Sequence, residues 1–183
     1  MVSRQSLTPL PADKRIVRMK RKTAYLGLFT AVAIIFGYVE TLLPVVVGIP
    51  GVKIGLANLV TVFVLYIYTW KEALIVSVMR ILVTGFLFGN LFSILFSLTG
   101  GLLSLLIMAF LKRKEFSIIG VSIAGGVAHN IGQIIIAALV VENVKMYYYM
   151  PVLLVSGLIT GGCIGVVSQE LLRRLTPILG ITD

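Results

Sequence analysis

Six long apolar stretches run along the chain, and polar residues gather between them. The stretches cover residues 23–43, 52–68, 73–88, 90–111, 116–141 and 149–172. A helix needs about 20 apolar residues to cross about 30 Å of hydrocarbon, so the pattern predicts six transmembrane helices. Pro44 closes the first. Trp70 marks an interface after the second, and basic clusters follow the fourth (Lys112, Arg113, Lys114) and the sixth (Arg173, Arg174). The second and third stretches are shorter than the rest, which suits helices that tilt little or border a cavity. The implied organisation is a tail over residues 1–22, a helical membrane domain over 23–174 and a short tail over 175–183.

Small residues recur at every fourth position within these stretches. Gly27 with Ala31, and Ala33 with Gly37, mark two faces of the first. Ser93, Ser97 and Gly101 mark the fourth, Gly120, Ala124 and Ala128 the fifth, and Gly157, Gly161 and Gly165 the sixth. Such stripes let helix backbones approach closely in lipid. Most of them are expected to serve internal packing, and one is left for a partner protein.

Composition agrees with the pattern. Of 183 residues 58% are apolar and 13% charged, where a soluble domain carries about a quarter charged residues, and the mean hydropathy is +1.06. The fold class is therefore all-α integral membrane protein. The single cysteine, Cys163, sits in a Gly-rich apolar stretch and reads as a packing residue.

The net charge is +9, and its placement matters more than its size. Seven cations precede residue 23, from Arg4 to Lys22. An apolar segment follows at once, so this run reads as a flank facing anionic lipid rather than a nucleic-acid site. If both termini are cytoplasmic, thirteen cations lie inside, two (Lys53 and Lys145) lie outside, and Arg80 lies within the membrane. That bias fixes the expected orientation of a multi-pass plasma-membrane protein with cytoplasmic N and C termini.

Arg80 carries the candidate chemistry. It lies about 13 Å along the third helix from Lys71, close to the midplane, and a charge there is costly. Thr84 shares its face at i+4. His129, Asn130 and Gln133 form a polar face at mid-depth on the fifth helix. Asn58 is on the second helix below Lys53, and Glu40 is near the outer end of the first. This distribution predicts a net-positive pocket that opens to the outside and closes at mid-depth. Arginine suits a carboxylate or phosphate through two parallel hydrogen bonds. The Gly/Pro-rich stretch GIPGVKIGLAN, residues 48–58, leads to a helix N-terminus that also favours an anion. The expected ligand is an amphiphile with an anionic or polar head and an apolar body. Plainer readings stand beside these: Arg80 as a structural partner of Glu40, His129 as a packing histidine, Asn58 as a bridge between helices, and Lys53 as an interface anchor.

Other chemistry lacks its residues. No phosphate loop of the G-x-x-x-x-G-K-[ST] type occurs, and the only aspartates are Asp13 and Asp183. An Asp-rich cluster holding Mg²⁺, as chemistry on a prenyl diphosphate requires, cannot be composed. Neither can a metal site or a catalytic triad, so the expected protein is no enzyme and has no cofactor.

The motifs PGVKIGLANLVT (50–61), SVMRILVTGFLFGN (77–90) and AGGVAHNIGQ (124–133) resemble the bacterial family labelled heptaprenyl diphosphate synthase component I, also called the Gx transporter family. That family is similar in turn to the S components of energy-coupling factor (ECF) transporters. The resemblance implies a six-helix bundle that binds a vitamin or a related precursor from outside. It also implies a transmembrane coupling subunit and two ATPases as separate chains. S components dock the coupling subunit through an Ala-x-x-x-Ala pattern on the first helix. Here Gly27-x-x-x-Ala31 stands in its place, with Ala33 and Gly37 as a second pair. Candidate substrates are a vitamin, a flavin, and a quinone or isoprenoid precursor. The alternative expectation is a non-catalytic membrane partner of a polyprenyl diphosphate synthase.

Overall fold

The structure is a computed structural model that describes residues 12–42 and 54–179. Its regular elements are all helical. They are α1 (Ala12–Leu42), α2 (Leu56–Ile67), α3 (Trp70–Phe88), α4 (Leu91–Arg113), α5 (Ile118–Val141) and α6 (Met150–Leu179), with a 3-10 helix over Val144–Tyr149. Local chemistry sets the turns between them. Thr69 and Glu72 form a capping box at the start of α3, and Asn90 and Ser93 form another at the start of α4. The Ser117 hydroxyl accepts the Gly120 N–H and caps α5. Connections of two residues between α2 and α3, and between α3 and α4, fold these helices back on each other.

The short helix α2 sits at the centre of the bundle. Its apolar residues point in every direction, and Val60 through Leu65 are all buried. It packs against α1, α3 and α6, and its valines join Ala33, Val76, Leu105 and Val121 in the core. Both of its ends carry a countercharge. One carboxylate oxygen of Glu40 accepts the N–H groups of Gly55 and Leu56, the latter at 3.0 Å. At the other end the Lys112 ammonium donates to the Leu65 carbonyl at 2.6 Å. An anion at the N-terminus and a cation at the C-terminus each offset the helix dipole, by up to about 2 kcal/mol in partly buried geometry. Gly55 makes the Glu40 contact possible. Its φ of 81° is left-handed, and a Cβ there would lie 2.7 Å from Ile164 Cδ1.

Glycines set the tightest crossings. A Cβ on Gly126 of α5 would sit 2.6 Å from the Gly157 carbonyl oxygen of α6, and one on Gly161 would sit 2.8 Å from Ile123 Cα. Gly100 of α4 meets α5 at His129 and Gln133, and Gly132 meets the Gly100 Cα. The predicted stripe Gly157, Gly161 and Gly165 does face α5. The predicted α5 stripe does not answer it: α5 meets α6 through Ile119, Ser122, Ile123 and Gly126. On α4, Gly100 rather than Gly101 makes the α5 contact, while Gly101 faces Ile81 of α3. α5 is rich enough in small residues to offer several stripes, and spacing alone does not choose among them.

The outer surface is apolar, with Phe86, Leu91, Leu106 and Ile159 each more than 60% exposed. This inverted distribution suits lipid. Four segments are long and apolar enough to cross a membrane: Arg15–Leu42, Leu91–Arg113, Ile118–Val141 and Lys145–Leu179. Of the six predicted spans, the other two differ. α2 has 12 residues, about 18 Å of rise, which falls short of a crossing. α3 has 19 residues but carries Lys71, Glu72 and Arg80.

Two helices run past their predicted ends. α1 starts at Ala12, so the basic run Arg15–Lys22 is helical, and α6 continues through Pro177 to Leu179. Lys, Arg and Met are good helix formers, and tertiary contacts hold the extension. Arg21 Nη2 donates to the Leu179 carbonyl at 2.7 Å, and Lys22 pairs with Glu72 at 2.5 Å. Glu72 precedes the apolar run of α3. Burial pushes its carboxyl up, but hydrogen bonds from Lys22 and Thr69 outweigh that and bring it to about 2.

Candidate ligand-binding site

A cavity of about 210 Å³ runs between the helices, and all six contribute to its wall. From α1 come Gly37, Glu40 and Thr41. Asn58 and Val62 come from α2, and Arg80, Thr84 and Phe88 from α3. α4 supplies a serine row, α5 supplies His129, Asn130 and Gln133, and α6 supplies Thr160 and Ile164. Seven of the eight predicted binding residues therefore share one cavity: Arg80, Asn58, His129, Asn130, Gln133, Thr84 and Glu40. The eighth, Lys53, and the expected closing loop at residues 44–53 lie outside the described residues.

Arg80 is held but not neutralised. Its Nη2 donates to Asn58 Oδ1 at 2.8 Å, and its Nε is buried with no hydrogen-bond partner. Among the described residues, the ion pairs join Lys22 to Glu72 and Glu170 to Arg173 and Arg174, so Arg80 has no carboxylate in contact. Glu40 does not take that role because its carboxylate is committed to the N-terminus of α2. Asn58 bridges α2 to α3, and the bridge presents the guanidinium to the cavity rather than removing it. Thr84 spends its hydroxyl proton on the Arg80 carbonyl and lies against Gly37, where a Cβ would be 3.0 Å from its methyl. A guanidinium placed on the wall with no carboxylate in contact can hold a carboxylate, a phosphate or a strongly polarised carbonyl.

The amide face of α5 is split between structure and site. Asn130 Nδ2 donates to the Leu153 carbonyl of α6 at 2.6 Å, which ties the two helices together. Gln133 is 1% exposed, and its Nε2 has no hydrogen-bond partner. His129 reaches the wall where Gly100 of α4 leaves room. A Cβ at Gly100 would lie 3.1 Å from His129 Cε1 and 2.8 Å from Gln133 Cγ.

The cavity is deeper than the sequence suggested. Its α4 wall runs through Ser93, Ser97, Ser104 and Met108, about 22 Å of helix rise. On α5 it reaches Ser122, past the predicted closure at mid-depth. Ser93 and Ser97 belong to the small-residue stripe of the fourth stretch, which spacing alone assigns to packing. Ser93, Ser97 and Ser104, at i−4, i and i+7 from Ser97, also describe a polar stripe on one helix face. Ser122 is partly spent, since its hydroxyl donates to the Gly161 carbonyl at 2.7 Å. The result is a long, narrow cleft with one guanidinium and a run of hydroxyls.

The two predicted docking pairs on α1 part company. Ala33 is fully buried in the core and Gly37 lines the cavity, so neither offers a surface. Their face points inward because α1 packs on α2 and α3 along it. Gly27 and Ala31 are exposed, and a Cβ at Gly27 would meet nothing within 4 Å.

Neither a search of curated proteins nor a search of solved structures gives a match. A family model described as heptaprenyl diphosphate synthase component I matches residues 29–171. That span takes in the second half of α1, the buried α2, and every described residue of the cavity wall. The chain belongs to the heptaprenyl diphosphate synthase component I family.

Proposed function

We propose that this chain is the substrate-binding membrane subunit of an ECF-type transporter, a non-catalytic protein that takes a small cofactor-like molecule from the extracellular side. The observation that carries this reading is Arg80: a guanidinium deep in the bundle, on a cavity wall, hydrogen-bonded to a neutral amide with no carboxylate in contact. A buried charge left in that state needs an anionic or carbonyl-bearing guest to complete it. In the proposed mechanism the head group of the ligand meets Arg80 and Asn58, and its body extends along the serine-lined cleft. His129 and Gln133 orient it from α5. Both termini face the cytoplasm, where a coupling subunit docks on the Gly27 and Ala31 face and two ATPase chains supply the energy. The serine row favours ligands with polar atoms along their length. The vitamin, flavin, quinone-precursor and isoprenoid-precursor candidates differ in that respect.

Native mass spectrometry of the purified protein tests the site. Wild type is expected to carry a co-purified small molecule, and Arg80→Ala is expected to reduce its occupancy at least tenfold while the protein stays helical and monodisperse. Equal occupancy in the two would remove the site assignment.

The family description favours a second reading, a membrane accessory subunit of a polyprenyl diphosphate synthase. Affinity recovery from native membranes separates the two. Coupling and ATPase chains in the eluate support transport. A soluble prenyl synthase at stoichiometric ratio supports the accessory role.

A further inference from the structure

A second concavity lies on the outside of the bundle, between α3 and α4, away from the ligand cavity. It measures about 410 Å³ and is lined by Trp70, Leu74, Leu102, Leu105, Leu106, Ala109, Phe110 and Arg113. Its floor is Leu105, which is buried, with Leu74 and Ala109 half-buried beside it. Its rim is exposed: Leu102, Leu106 and Phe110 on α4, and Trp70 on α3. Six of these eight residues are aliphatic or phenylalanine. The two polar-tipped residues, Trp70 and Arg113, stand together because the start of α3 and the end of α4 share one end of the bundle.

That end is densely cationic. The Lys71 ammonium lies 6.0 Å from the centre of the Trp70 ring, and the Lys114 ammonium lies 5.9 Å from the centre of the Phe110 ring. With Arg113 they place three cations around one mouth of the groove. Among the described residues none of the three is in an ion pair, since the ion pairs present use Lys22, Arg173 and Arg174. The nearest carboxylate on α3, that of Glu72, is engaged by Lys22 and Thr69. From Leu102 to Arg113 the groove follows about 16 Å of helix, close to the roughly 15 Å that one leaflet contributes to a hydrocarbon core of about 30 Å.

From this we infer that the α3–α4 groove is a binding site for one anionic phospholipid, with an acyl chain along Leu74, Leu102, Leu105 and Leu106 and the phosphate against Arg113, Lys71 and Lys114. Length matches a single leaflet. Charge matches the phosphate, and Trp70 and Phe110 sit where the chain meets the head group, the level at which aromatic side chains partition. The three cations, none of them in an ion pair, select an anionic lipid over a zwitterionic one, since basic residues at a membrane surface attract anionic head groups. This inference does not depend on the transport reading.

The test uses the full chain in vesicles of equal phosphatidylglycerol and phosphatidylcholine, extracted in mild detergent and weighed by native mass spectrometry. Wild type is expected to retain one phosphatidylglycerol, at least fivefold in excess over phosphatidylcholine. Arg113→Ala combined with Lys71→Ala should abolish the preference, and Leu106→Trp should fill the groove and displace the lipid with the cations intact. Arg173→Ala combined with Arg174→Ala removes two cations held by Glu170 on α6 and should change nothing. Equal retention of the two lipids by wild type would overturn the inference. So would an equal loss in the Arg173 and Arg174 control, because it would reduce the effect to diffuse charge.

Discussion

Asn58 decides what Arg80 can do. An aspartate at that position would form an ion pair, and the guanidinium would then be structurally satisfied. The amide accepts one hydrogen bond at 2.8 Å and leaves the guanidinium without a carboxylate in contact. Asn58→Asp keeps the size of the side chain and its acceptor, so the fold is expected to survive with equal or greater thermal stability in detergent. Occupancy by an anionic co-purified molecule should fall at least tenfold, because Arg80 would be neutralised in place. Unchanged occupancy together with raised stability would assign Arg80 a structural role. The sequence revealed which residue types meet here, since intramembrane charges and amides are few and their helical phases are plain. It did not reveal that Glu40 is unavailable to Arg80. That follows from the left-handed turn at Gly55, which aims two backbone N–H groups at the carboxylate.

Among the helices, closeness of approach separates the small residues that build the bundle from those that remain on its surface. At Gly126 an added Cβ meets the backbone of α6 at 2.6 Å, and backbone cannot move aside. Gly126→Val is therefore expected to force α5 and α6 apart, at a cost of about 1–3 kcal/mol or more, seen as a lowered melting temperature or loss of monodisperse protein. At Gly27 a Cβ would meet nothing within 4 Å, so Gly27→Val should leave the melting temperature within error. If the exposed Gly27 and Ala31 face docks the coupling subunit, the same variant should lose that subunit in affinity recovery. A destabilised Gly27→Val would show that this face is packed instead. Hydropathy located the helices because each apolar stretch is bounded by caps or charges. The second stretch yields a helix of 12 residues that borders the cavity, as its shortness suggests, and hydropathy alone does not tell such a helix, packed largely in protein, from one surrounded by lipid. The helix ends at Ala12 and Leu179 were hidden for the opposite reason. A charged, solvated turn looks like a tail until a contact such as Arg21 to Leu179 holds it.

Across the whole molecule, charge is sorted to one end. Lys22, Lys71, Lys112, Arg113 and Lys114 gather where α1, α3 and α4 share that end, while the connection from α5 to α6 carries one cation, Lys145, together with Glu142. With α5 as a spanning helix, the connections before and after it must lie on opposite sides of the membrane, and the proposed orientation, which follows the positive-inside bias, has the α4–α5 connection in the cytoplasm. A cysteine-free background is available through Cys163→Ser, since Cys163 is the single cysteine. Phe116→Cys and Tyr148→Cys then place one thiol in each connection, at residues 57% and 83% exposed. A membrane-impermeant maleimide is expected to label Tyr148→Cys in intact cells and Phe116→Cys only after permeabilisation. The reverse pattern would invert the proposed orientation and put the end of the cavity lined by Thr41 and Ser93 in the cytoplasm, which is incompatible with uptake from outside. Labelling of both from one side would remove α5 as a crossing. The orientation also fixes the leaflet of the α3–α4 groove, so with the expected labelling its lipid belongs to the cytoplasmic leaflet, where anionic head groups are concentrated.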